Sequence, residues 1–266
     1  SGTLSLEAPL LAEPGALLEQ LAASGLKDFG IDAPRVFWQE IVNPTWKEGS
    51  TTAAGYKKVL ADRVIAALHP DMSLSRRAAL AKAAAAFVDH YMAGSRIDFR
   101  WKPVLKKILE APSVMPVIAT DHYAEATDAM IHHLSECDIP SMSVMDAKPQ
   151  RACFIVANSA DIGFHKDDPR FWRTLHTSLC LHAVRSVLIL DDFGYNEQEA
   201  DAYAERKNIE HRMKTTLMAI ESVFSAVVEV LPVKIGAKAL RQGDRFERLV
   251  EQAMFTIDSF LGSDRS

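Results

Sequence analysis

Cysteine is scarce in this chain. Its three cysteines, Cys137, Cys153 and Cys180, are odd in number, lie far apart and form no Cys-x-x-Cys pair. That excludes a disulfide framework and a zinc knuckle, and it fits a reducing, cytoplasmic setting. Long apolar runs are missing too. No window reaches the roughly 18 consecutive apolar residues of a membrane span, so no membrane partner is expected. The opening Ser1-Gly2-Thr3-Leu4-Ser5-Leu6 has no basic stretch ahead of its apolar residues, so a secretory leader is not expected. Basic charge is short: the formal net charge is −5 and Arg76-Arg77 is too brief for a basic patch, which argues against a nucleic-acid partner. Gly-x-Gly-x-x-Gly, Gly-x-x-x-x-Gly-Lys-Ser/Thr, His-Glu-x-x-His and Gly-x-Ser-x-Gly are all absent. A dinucleotide fold, a P-loop, a zinc protease and an α/β-hydrolase each lose their main signature.

What is present is an ordinary globular composition, 48% apolar and 24% charged over 266 residues. That length suits one large domain or two smaller ones. Residues 1–110 read as helix. Tyr56, Val59, Leu60, Val64 and Leu68 recur at helical spacing until Pro70, and Leu80, Ala84, Phe87, Val88 and Tyr91 repeat the pattern before Gly94. The character changes after Pro112. Short apolar runs at Val114–Ala119, Cys153–Val156, Ser186–Leu190 and Val227–Leu231 alternate with helical stretches. The helices are expected from His122 to about Ser135, from near Pro169, from Glu197 to about Phe224, and over the segment holding Phe246, Leu249, Ala253 and Ile257. Alternating strands and helices with continuous apolar strands predict an α/β core over 111–266, its parallel sheet buried on both faces. The helical region 1–110 precedes it.

Asp191-Asp192 is the most informative pair. Two carboxylates end an apolar strand and lead into Phe193-Gly194-Tyr195. In open parallel sheets the carboxyl ends of the strands line the ligand crevice, and with Asn196 and Glu197 nearby these are hard oxygen ligands suited to Mg²⁺. A single Asp there would read as a helix cap. Thr120 ends an earlier strand ahead of a helix, where a hydroxyl and free amides can hold a phosphate; taken alone, Thr120 or Asp121 reads rather as a helix cap. Lys166 lies in the polar loop Gly163–Arg170 and can neutralise a phosphoryl group as a point charge, though an isolated loop Lys is more often a solvated surface residue. His122 and His165 flank these positions.

The order of the three elements is more specific than any one of them. Val117-Ile118-Ala119-Thr120 is followed by Ser159-Ala160-Asp161-Ile162-Gly163-Phe164-His165-Lys166-Asp167-Asp168-Pro169, and then by Val187-Leu188-Ile189-Leu190-Asp191-Asp192. Over roughly residues 100–200 this resembles the haloacid dehalogenase-like (HAD) hydrolase superfamily, with Asp167 and Trp172 standing where that pattern has Pro and Phe. The resemblance implies a Rossmann-like parallel-sheet core with a helical cap and, most simply, a Mg²⁺-dependent phosphatase acting on a small phosphorylated substrate. Thr120 would bond the phosphoryl group and Lys166 would steady it. Asp191 and Asp192, with Glu197 as a later acidic partner, would hold Mg²⁺. The family's first element, an apolar strand ending in Asp-x-Asp whose first Asp is the nucleophile, is not visible in this chain; only Gly2-Thr3-Leu4 resembles the tail that follows it. The alternative is therefore a non-catalytic HAD-like binding or interaction protein that lacks the nucleophile.

Overall fold

The computed structural model describes residues 2–147, 153–236 and 243–263. Its first part is helical: α1 (Glu7–Leu11), α2 (Pro14–Ser24), α3 (Asn43–Gly49), α4 (Tyr56–Leu68), α5 (Leu74–Gly94) and α6 (Lys102–Glu110). Local chemistry sets the ends. Pro14 opens α2 with a preset φ, and Gly25 closes it at φ +86, a left-handed conformation that a glycine adopts without a Cβ penalty. Ser73 caps α5 by accepting from the Arg76 amide. Between α2 and α3 the chain forms a π-helix at Val36–Val42 that buries Phe37, Trp38, Ile41 and Val42.

Three apolar layers organise the molecule, and the first part of the chain enters two of them. Leu21, Ile31, Ile41, Val64, Leu80 and Val88 sit in a core between the helices that also takes in Tyr123 and Ala126 from the second part of the chain. Leu6, Trp101, Val104 and Leu105 join a different core, beneath the strands.

The second part carries β1 (Val117–Thr120), α7 (Glu125–Glu136), β2 (Ser141–Ser143), β3 (Phe154–Asn158), α8 (Ser159–Ile162), α9 (Pro169–Ser178), β4 (Ser186–Asp191), α10 (Arg206–Phe224), β5 (Val227–Pro232) and α11 (Gly243–Ser263). The strands form two parallel sheets, β1-β3-β2 and β4-β5. Val117 pairs with Ile155 and Thr120 with Asn158, while Ser186 pairs with Val227 and Asp191 with Pro232.

The apolar run of β3 is explained by its two neighbours and two faces. Side chains alternate across a strand. Phe154 and Val156 enter the layer formed with Trp101, Leu105 and Ile257, and Ile155 and Ala157 enter the opposite layer with Phe171 and Leu175 of α9. Every residue of β3 is buried. β1 and β4 differ from the expectation of full burial. Val117, Ile118 and Ala119, like every residue of β4, are only partly buried, because each of these strands pairs on one side alone among the described residues. Ile118, Leu188 and Leu190 nonetheless pack against one shared layer. The two sheets are thus two halves under a common roof, with a seam between β1 and β4.

Two helix starts fall later than the sequence suggests, and one short strand is not announced by it. α7 begins at Glu125 rather than His122, so its amides do not directly follow Thr120. α10 begins at Arg206 rather than Glu197. Residues 193–201 form turns instead, since Phe193 and Gly194 both take left-handed φ, +51 and +88. β2, with the short sequence Ser-Met-Ser, carries no apolar run to announce it.

Candidate functional site

The carboxyl ends of β1 and β4 meet at Lys166. Its loop leads into α9, which Asp168 caps by accepting from the Arg170 amide at 2.9 Å. The lysine backbone is fixed from both sides. Its amide donates to Asp121 Oδ1 at 2.9 Å and its carbonyl accepts from Trp172 Nε1 at 2.6 Å. The ammonium reaches across the seam and donates to Asp191 Oδ2 at 2.5 Å. Lys166 is buried, at 6% exposure, which excludes the solvated-surface reading. Burial alone would lower its pKa, but Asp191 and Asp121 outweigh that and hold it above the usual lysine value.

Asp191 and Asp192 point to different partners. Asp191 Oδ1 accepts from the Phe193 amide at 2.8 Å. Asp192 is tied to the first residues of the chain. Thr3 Oγ1 donates to Asp192 Oδ1 and accepts from the Asp192 amide, both at 3.0 Å, and Asp192 Oδ2 accepts from the Asn196 amide at 3.1 Å. Burial, then the neighbouring charges of Asp191 and Glu197, pushes the Asp192 carboxyl up to about 7.

Asn196 is fully buried and acts as a clamp rather than a free ligand. Its Nδ2 donates to Gly2 O and Val233 O, both at 2.8 Å, and its Oδ1 accepts from the amides of Ile235 and Gly236 at 2.9 and 3.0 Å. Gly2 sits at φ +67, and a Cβ there would run into the Asp192 carboxylate. Sequence reasoning touched Gly2 and Thr3 only through the Gly-Thr-Leu resemblance. Nothing in composition or periodicity signals their contact with a residue so far along the chain.

One cavity of about 1040 Å³ gathers the candidate residues: Thr120, Lys166, Asp191, Asp192 and Glu197 all line it. It continues towards the helical region past Trp46, Tyr91, His122, Tyr203 and Asp201. The rings of Trp46, His122, Tyr123 and Tyr203 form an edge-to-face cluster, with Trp46 5.3 Å from Tyr123 and 5.8 Å from Tyr203, centroid to centroid, and Tyr91 stacks on His122. His122 Nδ1 accepts from the Tyr123 amide at 2.9 Å, so the imidazole is neutral with its proton on Nε2; burial lowers its pKa to about 3. His165 does not join these residues. Its Nε2 lies 2.7 Å from Ser50 Oγ, and it lines a smaller recess that shares Trp46, Asp121, Asp201 and Tyr203 with the cavity.

Among the described residues no three His, Cys, Asp or Glu side chains are gathered closely enough to hold a metal ion by themselves. The chemistry of Asp191, Asp192 and Glu197 still suits a hard cation. They are oxygen donors lining one cavity, and Asp192 is raised first by burial and then by the neighbouring charges of Asp191 and Glu197. Comparison with protein-family models, with curated proteins and with solved structures returned no match.

Proposed function

We propose that this protein is a HAD-like hydrolase, a Mg²⁺-dependent phosphatase acting on a small phosphorylated substrate. The observation that carries the reading is the buried Lys166–Asp191 pair at the carboxyl end of β4, facing Thr120 at the carboxyl end of β1 across one cavity. The site offers a permanent cation, a hydroxyl and acidic oxygens, the combination a phosphoryl group and its counter-ion require. Lys166 contributes positive charge inside a water-poor recess, where it acts more strongly than at the surface. Thr120 would donate to a phosphoryl oxygen. Asp191, Asp192 and Glu197 would hold Mg²⁺, which when bound offsets phosphoryl charge. The helical region 1–110 would act as the cap over the core at 111–266, excluding water and selecting the substrate. The same reading places the protein in the cytoplasm with a small-molecule partner.

A second reading has a specific observation in its favour. Asp121, Asp191 and Asp192 are each held by a protein donor, and the Asp-x-Asp nucleophile pattern is not visible in this chain. A HAD-like binding or interaction protein would have this character.

The test is titration calorimetry with Mg²⁺ on the chain and on Asp192→Asn, together with phosphate release from p-nitrophenyl phosphate and a panel of small phosphate esters, with Lys166→Met as the control. Binding lost in Asp192→Asn and phosphate release lost in Lys166→Met support the phosphatase. Mg²⁺ binding with no phosphate release from any ester supports the binding protein. Neither binding nor release overturns both readings.

A further inference from the structure

We propose that the end of the cavity walled by Trp46, Tyr91, Tyr203 and Asp201 is a subsite for an organic cation, a quaternary ammonium group. The first observation is the wall itself. Trp46, Tyr91 and Tyr203 line the cavity and are only half-buried, so each ring keeps surface towards it. They stand on a firm backing. Tyr123 is buried, stacks on Tyr56 with centroids 4.1 Å apart and meets Trp46 nearly at right angles. One face of Tyr203 is already covered by a cation, the Arg212 guanidinium, 3.3 Å from the ring centroid. The face of an aromatic ring carries negative potential and attracts a cation within about 6 Å. Rings gathered round one space suit a methylated ammonium above all, since it has no N–H to satisfy and gives up its water readily.

The second observation is a charge without a partner. Asp201 lines the same end of the cavity. Its Oδ1 accepts from the Tyr203 amide at 2.8 Å and so caps the short turn Ala202–Ala204. Among the described residues no ion pair closes on it. Lys166 is taken by Asp191. Arg212 is near enough to pull on Asp201 but spends its donors on the carbonyls of Phe193 and Tyr203. Arg185, the other cation on the cavity wall, stands at the opposite end of β4. His122 is held neutral by burial.

The third observation separates the charge from the cap. A cap needs only an acceptor, which asparagine would supply as well. Burial pushes the Asp201 carboxyl up to about 6, so its ionised form at neutral pH works against folding. A carboxylate that the fold does not need, facing aromatic rings, is what an incoming cation neutralises.

The ammonium subsite rests on this wall alone. Its extension rests on the phosphatase reading: the same cavity runs on to Lys166 and Thr120, so the substrate would be a phosphate monoester of a quaternary amino alcohol, held at its two ends. The test is titration calorimetry of the full chain at pH 8 with choline and with its neutral isostere 3,3-dimethyl-1-butanol, neither of which carries phosphate. Choline is expected to bind about tenfold or more tightly than the alcohol. Asp201→Asn is expected to lose that preference while melting higher than the parent at pH 8, which separates lost binding from lost fold. Tyr91→Phe keeps the preference and Tyr91→Leu weakens it. The proposal is overturned if choline and the alcohol bind alike, if neither binds, if Asp201→Asn keeps the full preference, or if ethanolamine binds more tightly than choline. Choline binding with no phosphate release from phosphocholine upholds the subsite and removes only the substrate assignment. Phosphate release with no preference for choline upholds the phosphatase and overturns the subsite.

Discussion

Thr3 and Asp192, 189 positions apart, exchange two hydrogen bonds through a single hydroxyl, one donated to the carboxylate and one accepted from the amide. The contact sits beside the carboxyl end of β4 and makes the first residues of the chain part of the candidate site. Thr3→Val keeps the shape and removes both bonds, leaving a buried amide and a buried carboxylate oxygen short of a partner. The expected cost is about 1–3 kcal/mol, read by urea denaturation, with Thr3→Ser close to the parent. Equal stability of the valine and serine variants would show that the hydroxyl is idle.

Gly2 is constrained by the same contact. With φ at +67 and the Asp192 carboxylate where a Cβ would stand, Gly2→Ala is expected to lower stability by more than the ~1 kcal/mol that left-handed strain alone costs. Thermal melts of the two chains side by side test this; an unchanged midpoint would refute it.

Lys166 and Asp191 form a buried pair. Removing one partner leaves an uncompensated charge, so Lys166→Met is expected to cost about 3–5 kcal/mol, whereas Lys166→Met combined with Asp191→Leu recovers much of that loss. A double-mutant cycle in urea measures the coupling. Additive single effects would mean that the pair is not coupled. Inorganic phosphate binding, if the site is used as proposed, disappears in the double variant even though its fold is restored.

Two groups near the aromatic cluster give opposite dependences on pH. His122 is held neutral, its pKa lowered by burial to about 3. The unfolded chain takes up that proton near pH 6.5 and the folded chain does not, so this group costs stability as pH falls from about 6.5 towards 3. Asp201 is pushed up to about 6 by burial, against the pull of the Tyr203 amide and Arg212. Its folded form holds a proton that the unfolded form has released, so it opposes folding above about pH 6 and ceases to do so as pH falls towards 4. Asp201→Asn, which can still accept from the Tyr203 amide, is expected to raise stability at pH 8 and to make no difference at pH 4. A gain independent of pH would refute the assignment. The imidazole signal of His122 should not titrate between pH 8 and 4.

The thiols differ in access. Cys180 is exposed, while Cys137 and Cys153 are buried and burial pushes their thiol pKa values up. A thiol reagent at neutral pH is expected to modify one cysteine quickly in the native protein and all three in denaturant. Rapid modification of two or three native thiols would contradict the packing around β3 and the end of α7.

The strands from β3 onward were legible because apolar residues fell in short continuous runs. The ends of β1 and β4 were legible because polar residues, Thr120 and Asp191, stop those runs abruptly. Lys166 could be linked to them through order along the chain. The sequence could not show that the ammonium reaches Asp191, because a loop lysine and a buried one look alike until the fold supplies the burial. Asn196 was harder still. By sequence it is one more oxygen donor near the acids, yet its amide is fully consumed by backbone groups from two segments, Gly2 and residues 233–236. β2 escaped notice because Ser141-Met142-Ser143 has neither length nor alternation. The turns at 193–201 displaced the expected helix start because a left-handed residue pair breaks helical continuity at once, and only Gly194 of that pair is visible as such in the sequence.

The Asn196 clamp also couples motions. Its one side chain bonds Gly2, Val233, Ile235 and Gly236, so the first residues of the chain and the exit of β5 cannot open separately without stranding a buried amide. They form a single unit of local unfolding. The Ile235 and Gly236 amides therefore report on residues 2 and 3: whatever loosens the start of the chain is registered as faster exchange at the far edge of the second sheet.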